Sequence, residues 1–279
     1  MRTLSQSRAF YEENGYTVIS GLFTDEEVAF FQDHFTALNE RNRPGDAEKQ
    51  TPPTEPDPLL LYPRMIQMHR WDKPSLDWML DKRLNACLTA LLGREPLALQ
   101  TMFYFKPPGA RGQALHQDNF YLKARPGTCM AAWMALDPCD DANGCLQIVP
   151  GSQDWPILCT TKADTTKSFT DITVPIPEGQ EIVSIIMEPG DVLFFNGSLV
   201  HGSLPNVTKD RFRRALIAHY VEGDSTHVFA YDRPILRMDG TEAEIVQSEQ
   251  GGKCGEWVDT GGRKIIEMTG NELAHRKHE

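Results

Sequence analysis

The chain has 279 residues, 40% of them hydrophobic and 9% aromatic, with a formal net charge of -11. That composition is globular, and the acidic balance argues against nucleic acid as the partner, because phosphate backbones are bound by clustered Lys and Arg. No apolar run reaches the roughly 18 residues that would span a bilayer, so a small molecule is the expected partner.

The opening residues, MRTLSQSRAFYEENGY, hold no apolar stretch followed by a small-residue cleavage site, and no secretory leader is expected. Six dispersed cysteines lack both zinc-site spacing and the density of a disulfide scaffold. They read as small apolar residues in a reducing cytoplasm. The oligomeric state is not legible.

In chain order, Tyr16 to Ser20 is a short β-prone run, followed by a capping signature with Thr24 as N-cap and Glu27 three residues on. Val28, Phe31, Phe35 and Leu38 then recur at helical spacing, giving the helix one buried face. Residues 43–63 are rich in proline and charge and read as a loop, of a length that often covers a site. From Ser75 to Leu92 apolar residues recur at three and four, with Gly93 as a stop, which predicts one amphipathic helix. Beyond residue 96 the texture changes to about eight short β-prone runs separated by Asn-Gly and Pro-Gly turns. One of these runs covers 113–122.

The expected fold is therefore mainly β with flanking helices, around a jelly-roll core. A single domain over 1–279 divides into helical N-terminal support (1–95), the jelly-roll core (96–222) and a C-terminal extension (223–279).

The stretch LHQDNF, 115–120, places His116 and Asp118 two apart, on one side of an extended strand. Alone, such a pair is as readily a structural hydrogen bond as part of a metal site. His201, in a separate β-prone run after EPGDVLFF, supplies a third candidate ligand. Two imidazoles and one carboxylate make a facial triad that leaves positions open on iron(II) for a co-substrate and oxygen. Arg213 shares strand parity with Ala215, Ile217 and His219, and an inward arginine could grip a distant carboxylate through two bonds. Ser203, on the same face as His201, could add a hydroxyl. Taken singly, a lone histidine is usually packed or exposed, and an arginine cluster is usually a solvated patch.

The chain resembles the phytanoyl-CoA dioxygenase family of iron(II)- and 2-oxoglutarate-dependent dioxygenases. The matching stretches are FKPPG (105–109), QALHQD (113–118), AAWMALD (131–137), NGCLQIVPGSQ (143–153), EPGDVLFFNGSLVHGS (188–203) and FRRA (212–215). The resemblance implies a double-stranded β-helix of the cupin-like kind, with iron(II) on His116, Asp118 and His201 and O2 as oxidant. It implies 2-oxoglutarate held by Arg213 and Ser203, in a pocket lined by Gln113, Trp133 and Met102. A polar residue that relatives contribute from upstream has Gln67 as its stand-in here. Because the acidic ligand is present, the resemblance implies hydroxylation rather than halogenation.

Tyr104, Asn119 and Tyr121 are candidate contacts for a small polar metabolite such as an aminoalkylphosphonate or another zwitterion. An acyl-CoA or natural-product intermediate is the alternative substrate. A cupin-type metalloenzyme that does not use 2-oxoglutarate, and a barrel that only binds, are the rival readings.

Overall fold

The computed structural model describes residues 3–41, 57–229 and 234–272. Most of the expected 43–63 loop lies outside the described residues. Its last part forms a 3-10 turn, Pro58–Leu60, capped by Asp57.

Two antiparallel sheets face each other. The larger has seven strands, in the order Tyr16–Ile19, Val192–Asn196, Cys129–Ala135, Ala215–Val221, Leu97–Tyr104, Leu236–Arg237, with Met65–Ile66 also paired to Leu97–Tyr104. The smaller runs Gln113–His116, His201–Ser203, Leu146–Ile148, Val183–Ile185. The jelly-roll expectation is met, as is the prediction of β structure from residue 97 onward.

Strand Cys129–Ala135 is buried on both faces, and its two-residue period sorts its side chains into separate cores. Met130, Ala132 and Met134 pack toward the helices with Phe35, Leu84, Leu88 and Trp78. Ala131, Trp133 and Ala135 pack between the sheets with Leu146, Ile148 and Ile217. Phe35 of helix Asp25–Arg41 is fully buried and stacks on Phe103 with centroids 4.1 Å apart. Burying such a ring contributes roughly 1.5–3 kcal/mol, which fixes this helix against the outer face of the large sheet. Its N-terminus has the expected capping box, with Glu27 N donating to Thr24 Oγ1 at 3.3 Å and Thr24 N to Glu27 Oε2 at 2.9 Å.

Three expectations are corrected. The helix predicted from Ser75 to Leu92 is two helices, Lys73–Met79 and Lys82–Leu92, because Asp72 and Asp81 each cap a new N-terminus through side-chain bonds to Ser75 N and Arg83 N. The run 113–122 is a strand only to His116. Asp118 has helical backbone angles, and a helical turn follows over Asn119–Leu122. The cysteines are not all separate thiols, since Cys159 and Cys254 form a disulfide. That bridge ties the jelly-roll to a C-terminal hairpin, Lys253–Asp259 with Lys264–Asn271, whose Trp257 packs edge-on to Trp155.

Candidate active site

His116 and His201 are direct cross-strand partners at the end of the small sheet. Cross-strand neighbours are the closest side chains a sheet offers, and the two imidazoles have centroids 4.2 Å apart. Each ring is oriented the same way. His116 Nδ1 lies 2.9 Å from Ala114 O, and His201 Nδ1 lies 3.1 Å from Leu199 O. A carbonyl only accepts, so each Nδ1 carries the proton and each Nε2 is left as an acceptor, that of His116 facing Gln113 Nε2 at 3.1 Å.

Both Nε2 atoms face one oxygen, Asp118 Oδ1, at 3.5 Å from His116 and 3.7 Å from His201. Asp118 reaches that point because the chain turns after His116, so the approach comes from the turn and not from strand alternation. Its other oxygen, Oδ2, is 3.0 Å from Nε2 of His219, on strand Ala215–Val221 of the opposite sheet. Burial pushes the Asp118 carboxyl up, but the imidazoles of His201 and His219, with the hydrogen bond from His219, outweigh it and hold it well below the carboxylate range. Burial, then the neighbouring His116, pulls His201 down to about 4. At neutral pH the site thus presents an ionised acid and an uncharged His201, the forms that ligate metal. The three donor atoms lie within 4.8 Å of one another and could hold a metal ion.

The far end of the cavity is cationic. Arg213 is 2% exposed. Its Nε donates to Gly144 O at 3.1 Å and its guanidinium lies 5.2 Å from the centroid of the Trp133 ring, while Nη1 has no hydrogen-bond partner among the described residues. A buried donor without a partner costs about 1–3 kcal/mol, which suits a group waiting for an anion. Its neighbours differ: Arg211 pairs with Asp140 at 2.6 Å and Arg214 with Asp137 at 2.7 Å.

Ser203 Oγ accepts from Lys106 Nζ at 2.8 Å and from Gln113 N at 3.1 Å. With both bonds accepted, its own proton remains to be donated. Lys106 is 4% exposed and also donates to Gly144 O at 3.2 Å. Gly144, at φ +83°, is required by that crowding: a Cβ there would lie 2.5 Å from Leu204 O and 2.7 Å from Lys106 Cδ.

His116, Asp118, His201, Arg213, Trp133 and Ser203 line one cavity of about 530 Å³ between the sheets, together with Met102, Tyr104 and Gln113. Tyr121 and Lys123 lie along the same wall, with the Lys123 ammonium paired to Glu272 at the end of the C-terminal hairpin.

Residues 11–215 match the phytanoyl-CoA dioxygenase (PhyH) family. The chain belongs to that family. It is 31% identical to the phytanoyl-CoA dioxygenase of Arabidopsis thaliana over 159 residues, 56% of each chain, so the match spans little more than half of that relative. It is 30% identical to the peroxisomal phytanoyl-CoA dioxygenase of Mus musculus, over 80% of this chain and 69% of that one. In fold it is similar to the crystal structure of EvdO2 from Micromonospora carbonacea var. aurantiaca complexed with 2-oxoglutarate. That match has a TM-score of 0.62 at 20% identity and covers 78% of this chain and 90% of that one.

As a PhyH protein the chain is a 2-oxoglutarate-dependent dioxygenase, and iron, 2-oxoglutarate and oxygen are its cofactors. The residues present fit them: two unprotonated imidazole nitrogens and an ionised oxygen for the metal, and for an acid a buried guanidinium whose Nη1 has no partner among the described residues. Among the described residues no helix is long and apolar enough to cross a membrane.

Two of the expected site residues stand apart from this cavity. Asn119 is spent on the turn, accepting from Ala124 N at 2.8 Å. Gln67 adopts a left-handed backbone ahead of the turn Met68–Arg70, and its side chain is not among those facing the cavity. Three residues earlier, Arg64 does line it, with its guanidinium 5.7 Å from the Tyr104 centroid and 4.8 Å from that of Phe169. Sequence reasoning missed Arg64, Lys106 and Gln100, and named His219 only for its strand parity. The signal for Arg64 was the neighbouring Tyr62-Pro63, which ends the loop just before strand Met65–Ile66.

Proposed function

We propose that the chain hydroxylates an unactivated C–H bond of a small polar metabolite, with release of succinate and CO2. Carrying this reading is the convergence of His116 Nε2, His201 Nε2 and Asp118 Oδ1 in one cavity with an Arg213 whose Nη1 has no partner among the described residues. His116, Asp118 and His201 would hold iron(II), which when bound supplies oxygen activation coupled to decarboxylation of 2-oxoglutarate.

The chain's own residues bind and orient. Arg213 Nη1 and the Ser203 hydroxyl present two donors to the far carboxylate of the co-substrate, and Lys106 keeps Ser203 turned that way. Trp133 and Met102 wall that end with apolar surface and exclude water, which strengthens the charge pairing. Gln113 Nε2 lies 3.1 Å from His116 Nε2 and would rotate to the co-substrate once that nitrogen ligates metal.

Cavity size supports the small substrate. A volume of about 530 Å³ must hold 2-oxoglutarate as well, and ligand pockets of roughly 300–1,000 Å³ suit drug-sized molecules. An aminoalkylphosphonate or similar zwitterion would meet Tyr104 and Tyr121 on its way to the metal. The names of the curated relatives favour a second reading, an acyl-CoA, of which only the acyl end would enter. For compartment we keep the cytoplasm, although the Cys159–Cys254 disulfide is a bond that a reducing compartment disfavours.

Anaerobically reconstituted protein with iron(II) and 2-oxoglutarate, screened for oxygen uptake and succinate release against zwitterions, phosphonates and acyl thioesters, tests the reading. A small polar compound that stimulates both is the expected result. Stimulation by acyl thioesters alone transfers the assignment to the second reading, and iron binding without any 2-oxoglutarate turnover overturns both.

A further inference from the structure

The metal reading leaves one carboxylate oxygen unexplained. Asp118 has two, and a carboxylate on a metal can bind through one or both. Only Oδ1 faces His116 and His201, while Oδ2 is held 3.0 Å from His219 Nε2.

An ionised carboxylate only accepts, so the proton of that bond belongs to His219 Nε2. A neutral imidazole then has a lone pair on Nδ1, and whatever sits there must donate. Gln100 fills that place, with Nε2 3.2 Å from His219 Nδ1. Gln100 and His219 are cross-strand partners in the large sheet, and the register shifts just past them, between His219 and Tyr220. Bulges of this kind re-aim a side chain beside a site. On the other flank His219 pairs with Ala131, too small to compete for the space. The imidazole is 5% exposed.

We propose that His219, fixed in one tautomer by Gln100, is the positioning residue that reserves Asp118 Oδ2 and leaves the metal a single carboxylate oxygen. This rests on the metal reading above. With Oδ2 occupied, a bound ion keeps the coordination position that a two-oxygen carboxylate would fill. Partners of metal ligands commonly contribute 10–100-fold in metal affinity.

Cobalt(II), whose visible absorption reports coordination number, is the probe, titrated without oxygen into the full chain and its variants. His219→Leu removes the donor and should weaken Co(II) binding by about 10-fold or more, with weaker visible bands as Asp118 binds through both oxygens. His219→Gln, which keeps an N–H near Oδ2, should recover most of the affinity and the parental spectrum. Gln100→Leu, which frees the tautomer while leaving the imidazole, should give a smaller loss and serves if His219→Leu does not fold by circular dichroism. Parental affinity and spectrum in both leucine variants overturn the inference, as does a folded His219→Gln no better than His219→Leu. Absence of Co(II) binding by the parent instead overturns the metal reading itself.

Discussion

Three arginines crowd one short stretch, and their acid partners separate their roles. Arg211 and Arg214 are each satisfied by an aspartate, whereas Arg213 faces the cavity beside Trp133. Replacing Arg213 with Ala should raise the 2-oxoglutarate KM by about 100-fold or more, since the buried carboxylate would lose its charged partner. Arg213→Lys should recover little, because an ammonium lacks the planar fork. Arg211→Ala breaks an exposed ion pair and should leave that KM within about twofold. Steady-state kinetics on the three variants check this, and equal effects at 211 and 213 would remove Arg213 from the site. Strand parity with Ile217 and His219 made Arg213 legible in the sequence. Lys106 was not, because a lysine ahead of two prolines reads as surface and its burial depends on the distant Gly144 and Leu204 carbonyls.

Elements were legible where the pattern is local. The capping box at Thr24 and the β-prone run that becomes strand Cys129–Ala135 both follow from neighbours in sequence. The helix break at Leu80 was hidden, since the apolar spacing runs across it and Asp81 alone marks the restart. Asp81→Ala should therefore lower stability by about 1 kcal/mol, the usual cost of a lost N-cap. A fall in Tm of roughly 2–4 °C in a thermal melt would agree, and an unchanged melt would mean that the break is held by packing. At the site, the structure brings His116 and Asp118 together, but not for the expected reason. Alternation along a strand would put both on one face, but the chain leaves the strand at His116 and brings Asp118 back through a turn.

At the scale of the molecule, buried histidines set the acid limit. Burial, with Arg70 nearby, pulls His69 from 6.5 down to about 4, and His201 falls likewise. Between about 6.5 and about 4 the unfolded chain takes up protons that the folded chain refuses, so stability falls as pH drops through that window. The metal-free protein should lose on the order of a few kcal/mol from pH 7 to pH 4. Denaturant titrations at several pH values check this, and a flat profile would show that both imidazoles gain solvent on protonation. The C-terminal hairpin and its disulfide were beyond sequence reading, because Cys159 and Cys254 lie 95 residues apart and only the fold brings them together.

The pairing of His116 with His201 has a mechanical consequence. These two rings sit on the same rung of the small sheet, so a slip of one residue would carry one of them to the opposite face. An ion gripped by both would act as a rivet through two distant stretches of chain, and loading it would resist such a slip as well as equip the chemistry.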